Sequence, residues 1–236
     1  MRKISEVYHK HNGTPGYRMM YHLLKLEGVA IGKATVHKYM QEMHLYSIAR
    51  KNPRYNAPKS ENILFPNIIS RDFNPSARNM VWCTDFTNLE YGGGTVRYNC
   101  TIIDLFDRSV VASLNSNLLN ADLAINTLRR ALFTHRISKG LILHSDQGRQ
   151  FTSRAFVEFC KQNHIQQSMS AAGCPYDNAP MERFFNTLKN EFTYHHRFMT
   201  AKEMDAGIID YIFSWYNKER PHTHNNGVPP LLVAYK

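Results

Sequence analysis

The sequence of 236 residues contains no run of 18 apolar residues, so a membrane-spanning helix is not among its organising elements. It opens on no apolar leader, which sets the expectation of a chain that stays in the cytoplasm and does not contact membrane. Cysteine is scarce. The four residues, Cys83, Cys100, Cys160 and Cys174, include no Cys-x-x-Cys pair and none before position 83. That spacing argues against a disulfide scaffold or a cysteine-built zinc unit and fits reduced thiols. Acidic residues are sparse in the first 60 positions, where eleven Lys and Arg face only Glu6, Glu27 and Glu42, a balance of +8. The net charge is +10, so the remaining 176 residues supply only +2. A basic segment on a near-neutral body points to a grip on a polyanion; an ordinary solvated basic surface is the competing reading.

What is present divides the chain into four parts. Residues 1–47 read as short helices. Tyr17, Met20, Leu23 and Leu24 recur at helical spacing before Gly28, and Val36, Tyr39, Met40 and Met43 recur after Gly32. Two helices about a tight glycine turn suit a helix-turn-helix, with Lys33, Thr35, His37 and Lys38 near the start of the second helix, together with Arg18, as candidate DNA contacts. Residues 48–78 carry four prolines among Arg50, Lys51 and Arg54, and read as a basic linker able to follow a phosphate backbone. Residues 79–195 read as an α/β unit. Strands are expected over 80–89, 95–104 and 109–114, with a helix capped by Asn120, a strand at Leu141–Leu143, a helix over 153–163, a strand over 165–170 and a helix from Pro180. Residues 196–236 hold a capping box at Thr200 and Glu203, an amphipathic helix and an aperiodic tail.

The order βββαβαβα predicts a mixed five-stranded sheet with flanking helices, the ribonuclease H-like arrangement, preceded by the small all-α module. In that order the first strand lies beside the fourth. Asp146 in His144-Ser145-Asp146-Gln147-Gly148 falls at a strand's carboxyl end, where open α/β sheets carry their sites, and Asp85 in Trp82-Cys83-Thr84-Asp85, within the first strand, would be its neighbour. Glu182, 36 positions after Asp146, opens the helix whose stripe Met181, Phe184, Phe185, Leu188 and Phe192 faces inward. Three carboxylates without a His/Cys cage suit two Mg²⁺ or Mn²⁺ ions, which prefer oxygen ligands and activate phosphodiesters in pairs. Lys189 lies two turns beyond Glu182 and would clamp phosphate; Arg183 is a further candidate contact. Asn178 is read either as the helix cap or as a contact to Glu182 or DNA. Asp104, Asp107 and Asp177 are read as structural, and His144 is open between a substrate contact and a strand end. A tyrosine-recombinase reading finds only Arg220, His222 and Tyr235 in an irregular tail.

Trp82-Cys-Thr-Asp85, His144-Ser-Asp146-Gln-Gly148, Gln167-Ser-Met-Ser170, Tyr176-Asp-Asn-Ala-Pro-Met-Glu182, Phe184-Phe185, Leu188-Lys189 and Tyr216-Asn-Lys-Glu-Arg-Pro-His222 together resemble one family. It is the bacterial insertion-sequence transposases of the two-frame type, whose second-frame product carries an integrase core of the DDE class. The similarity runs from about Gly16 to the C-terminus. It implies metal-dependent DNA cleavage and strand transfer at element ends, with Asp85, Asp146 and Glu182 on the catalytic, metal-binding positions and Lys189 on the basic one. It further implies a homo-oligomer on element-end and target DNA, association with or fusion to a first-frame product, and residence on the bacterial nucleoid. The loop Ala171-Ala172-Gly173-Cys174-Pro175 departs from the family in being less basic. A DNA-binding remnant or regulator without activity, and a simple nuclease, are the rival functions.

Overall fold

Alternation of apolar residues along the first strand decides how the sheet unit is layered. In the computed structural model, which describes residues 1–11, 13, 15–48, 63–137 and 140–233, strand β1 spans Val81–Tyr91. Val81, Cys83 and Leu89 face one hydrophobic cluster, while Trp82 and Phe86 face another. Such period-two alternation with both faces apolar requires helices on both sides.

Strands β2 (Thr95–Asp104) and β3 (Val110–Ser116) continue β1 as an antiparallel meander. Two parallel strands, β4 (Ile142–Ser145) and β5 (Gln166–Met169), extend the other side, giving the order β3-β2-β1-β4-β5. The expected mixed five-stranded sheet is therefore present, with every strand bound within two residues of that read from the sequence; β4 starts one residue later and runs two further.

In chain order, three helices precede the sheet: α1 (Arg2–Lys10), α2 (Tyr17–Leu26) and α3 (Lys33–Glu42). They enclose their own core of Ile4, Val7, Met20, Leu24, Val36 and Met40. Gly28, at φ +77°, ends the second helix in a left-handed conformation that glycine adopts without steric cost. The chain divides into two compact units, Met1–Pro58 and Lys59–Lys236. Among the described residues, no helix is long and apolar enough to cross a membrane.

Within the second unit, α4 (Ala121–Thr134) and α5 (Arg154–Gln162) cover one sheet face. Both are capped as their sequences require: Asn120 Oδ1 accepts from the Leu123 N–H at 3.0 Å and Ser153 Oγ from the Phe156 N–H at 3.3 Å. The other face is covered by α6 (Ala179–Glu191) and α7 (Ala201–Asp210). Thr200 caps α7, and Glu203 Oε2 returns to the Met199 N–H at 2.9 Å, so the capping box forms one residue off its usual register. The amphipathic helix then widens into a π-helical turn at Tyr211–Tyr216.

Residues 63–78, the second half of the expected linker, instead belong to the packed unit. Phe65 and Phe73 pack against the two clusters and Ile69 is buried in one of them. The Ile63 N–H donates to Thr152 O at 3.2 Å, and Pro66 O accepts from the Met169 N–H at 3.2 Å. The segment bends at 68–71 and again at 76–80, and Phe65, Ile69 and Phe73 supply the burial. Arg50, Lys51 and Arg54 lie outside the described residues, as does Tyr235.

Candidate active site

Parallel pairing of β1 with β4 matches Val81 with Ile142, Trp82 with Leu143 and Cys83 with His144. The same register carried two residues further sets Asp85 beside Asp146, on strands spaced about 4.8 Å apart. Paired residues share a face, and this face is the one covered by α6. Helix α6 buries Met181, Phe184, Phe185 and Leu188 against the sheet. Each such side chain contributes roughly 1.5–3 kcal/mol, so the helix is held firmly. Its exposed side then carries Glu182 in the first turn.

Asp85, Asp146 and Glu182 line one cavity with Gln147, Gly148 and Asn178. The three carboxylates predicted from the sequence thus come to one place. None belongs to an ion pair among the described residues. Burial first, and then the charge of Asp146, push the Asp85 carboxyl up to about 7; the Phe86 N–H opposes this and Glu182 adds to it. A carboxylate held among like charges with no side-chain cation calls for a positive partner.

The donor set fits a hard divalent ion. Asp85 Oδ1 accepts from the Phe86 N–H at 2.7 Å and Asp146 Oδ1 from the Gly148 N–H at 2.9 Å, which steadies both carboxyls while leaving their second oxygens without a hydrogen bond among the described residues. Asn178 Oδ1 is buried without a hydrogen-bond partner among the described residues, a further oxygen donor beside the cavity. No three His, Cys, Asp or Glu side chains among the described residues already stand close enough to hold an ion. Glu182 is exposed, and turning its side chain inward is the adjustment that would complete the set.

Asn178 does not cap α6 with its side chain. Its Nδ2 donates instead to Thr84 O at 3.4 Å, tying the helix start to the residue before Asp85. The capping expectation fails because the residue precedes the helix through a 3₁₀ turn, Pro175–Asn178, at φ −121° and ψ 28°. Asp177 shapes the loop, accepting from Arg71 at 2.6 Å, Asn67 at 3.1 Å and the Ala171 N–H at 3.0 Å. Its carboxyl is held below the usual range, chiefly by the Arg71 hydrogen bond. Asp104 accepts from the Asn79 and Phe106 N–H groups, and Asp107 pairs with Arg78, so both are structural.

His144 is buried, with Ser168 Oγ 2.9 Å from Nδ1 and Ser170 Oγ 3.1 Å from Nε2. Burial lowers it to about 4, and its two serine partners settle the open reading in favour of a structural role. The Ser-x-Ser alternation on one strand face was the signal for that clamp. Gly148 was missed as a site residue: a Cβ there would lie 2.8 Å from Asp146 Oδ1, and only folded geometry reveals this.

Lys189 sits in the last turn of α6 and is not among the residues lining the carboxylate cavity. Arg183, next to Glu182, is exposed and lines neighbouring cavities. Within the helical unit Arg18, Lys33 and Lys38 are all exposed. Lys33 lies 5.8 Å from the Tyr21 ring centroid, Arg18 Nε donates to Tyr17 Oη at 3.1 Å, and Lys38 pairs with Glu42 at 3.8 Å.

Comparison with known proteins agrees with this layout. Residues 75–175 and 163–230 match the integrase core domain family, and residues 1–53 match an HTH-like domain family. The transposase for insertion sequence element IS904 of Lactococcus lactis subsp. lactis (strain IL1403) is 35% identical over 94% of this chain and 87% of its own length. The chain belongs to the insertion-sequence transposases. This transposase is also 33% identical to the putative transposase InsK for IS150 of Escherichia coli (strain K12), over 98% of this chain and 81% of that one. Among solved structures, the HTLV-2 integrase catalytic core domain in complex with magnesium superposes with a TM-score of 0.50 at 17% identity, covering 66% of this transposase and 94% of that chain. The fold of the sheet unit is ribonuclease H-like.

Proposed function

We propose that this chain cuts DNA at the ends of an insertion element and joins the freed 3′-hydroxyl to a target phosphate, with Asp85, Asp146 and Glu182 as the metal-holding carboxylates. Family membership supports the reaction class. The observation that carries the residue assignment is the convergence of three carboxylates, with no cationic side chain paired to them among the described residues, on one cavity of a basic protein. In this reading Asp85, Asp146 and Glu182 together would hold two Mg²⁺ or Mn²⁺ ions. Such ions, when bound, supply charge that activates the attacking oxygen and stabilises the leaving one. The protein's own part is placement. The Phe86 and Gly148 amides fix the aspartates, Asn178 locks α6 against β1, and Glu182 closes the site from the helix.

In cleavage, water attacks phosphorus and the P–O3′ bond breaks, leaving a 3′-hydroxyl and a 5′-phosphate. In joining, that 3′-hydroxyl attacks a target phosphorus and displaces the target's own 3′-oxygen, which leaves as a hydroxyl. Arg18, Lys33 and Lys38 of the helical unit, Arg50, Lys51 and Arg54, and Asn178, Arg183 and Lys189 of the core unit are proposed DNA contacts. Action as a homo-oligomer on DNA, association with a first-frame product and residence on the nucleoid belong to the same proposal.

Purified protein, element-end DNA and Mn²⁺ test it. Joined products are expected, and Glu182→Gln should abolish them, by roughly 10³-fold or more, with DNA affinity nearly unchanged. Hydrolysis without joining would make the protein a nuclease, and a mobility shift without cleavage would make it a regulator. Equal loss of affinity and cleavage in Glu182→Gln would make Glu182 structural.

A further inference from the structure

On the other flank of α6 lies a second cavity, about 270 Å³, that the metal site does not use. Arg108, Arg183, Arg220, His222 and His224 line it, and no Asp or Glu does. Three guanidiniums from three parts of the chain therefore share one concavity: the turn after β2, the exposed side of α6 and the segment following the π-helical turn.

Two of them are fixed in place. Arg108 is buried, donating to Leu105 O at 2.6 Å and Phe73 O at 2.9 Å, with no carboxylate bonded to it. Arg220 is oriented by Glu191, through Nε at 2.8 Å from Oε2 and Nη2 at 2.5 Å from Oε1. A guanidinium has five N–H donors, so Arg220 retains capacity on Nη1 and Nη2. Arg183 is exposed and enters no ion pair among the described residues. The cationic field of the pocket registers on His222, which is pushed down to about 4 by burial first and then by Arg220, His224, Arg108 and Arg183.

The intervening surface also shares residues with both cavities. A shallow groove over α6 shares Glu182 with the carboxylate cavity, and Ala179, Arg183 and Thr187 with the cationic one. A strand leaving the three carboxylates across the first two turns of α6, past a groove that Glu182 and Glu191 also line, would reach this positively charged recess. Planar, forked donors of this kind match phosphate geometry.

We propose that this pocket, formed by Arg108, Arg183, Arg220 and His222, seats a single backbone phosphate of the DNA strand that passes over α6 from the cleavage site. The inference rests on the transposase reading of the carboxylate cavity.

The test uses the full chain, Ca²⁺ in place of Mg²⁺, and a duplex bearing the terminal sequence of the element that encodes it. Neutral methylphosphonates replace one phosphate at a time. One position near the cut is expected to cost the wild type about 10-fold or more in affinity, the scale of one charge-assisted hydrogen bond. Arg183→Gln should cost a similar factor and be insensitive to that same substitution. The His222 ring, followed by NMR, should show its pKa rise when this DNA binds, because an anion offsets the surrounding guanidiniums.

A uniform cost at all positions, additive losses with Arg183→Gln, or an unmoved His222 would overturn the pocket. So would inorganic phosphate at millimolar level shifting His222 fully while no DNA position is special, since that marks a free-anion site. Cleavage of end DNA by wild type with Mn²⁺, alongside any of these failures, would leave the transposase reading standing. Wild type that neither binds nor cleaves end DNA would sink both.

Discussion

Gly148 shows how much of a site depends on a residue with no side chain. Its amide steadies Asp146, and the space where a Cβ would stand is taken by the Asp146 carboxyl at 2.8 Å. Gly148→Ala is therefore expected to displace Asp146 and slow end cleavage by roughly 10–100-fold, since misplacement of about 1 Å costs up to two orders of magnitude. The fold should survive, and thermal melting alongside the cleavage assay separates the two effects; unchanged cleavage would show that Asp146 is not held by this contact. At this scale Asp85, Asp146 and Glu182 were legible because acidic type, strand order and spacing are all written in the chain. The Gly148 contact and the Asn178 bond to Thr84 O were not, because both are distances between segments that become neighbours only on folding.

The elements divide in the same way. Helix α4 was legible to its first residue through Asn120, and α6 through its stripe and Pro180, because caps and periodicity are local. The π-helical turn at Tyr211–Tyr216 was not. Its Tyr211, Ile212 and Tyr216 are buried in the cluster shared with α6 and the sheet, so their packing involves residues distant in sequence. The end of β2 offers a titration test. Burial above all raises the Asp104 carboxyl to about 6, against about 4 in an unfolded chain. A raised folded value means the folded state holds the proton more tightly. Its contribution is complete below about pH 4 and is lost as pH climbs through about 6. Wild type should thus lose roughly 2–3 kcal/mol relative to Asp104→Asn between pH 4 and 7, measured by urea unfolding without metal. Parallel stability curves for the two proteins would contradict this.

For the whole molecule the governing feature is the uneven charge, +8 of the net +10 within the first 60 residues. It was read from composition alone, and the structure leaves Arg18, Lys33 and Lys38 exposed on the helical unit. If this unit grips DNA, neutralising these three to Gln in the full chain should make the log–log salt dependence of binding shallower by about 0.9 for each that touches a phosphate. An unchanged slope would move the grip elsewhere. What composition could not convey is that residues 63–78 join the catalytic unit rather than tether it, since burial of Ile69 depends on a sheet formed later in the chain.

The most direct measurement is Mn²⁺ anomalous diffraction from crystals of the full chain. Two peaks about 3.5–4 Å apart are expected among Asp85, Asp146 and Glu182, with the Glu182 side chain turned into the cavity. Manganese bound elsewhere, or Glu182 remaining turned out while the aspartates bind alone, would contradict the account.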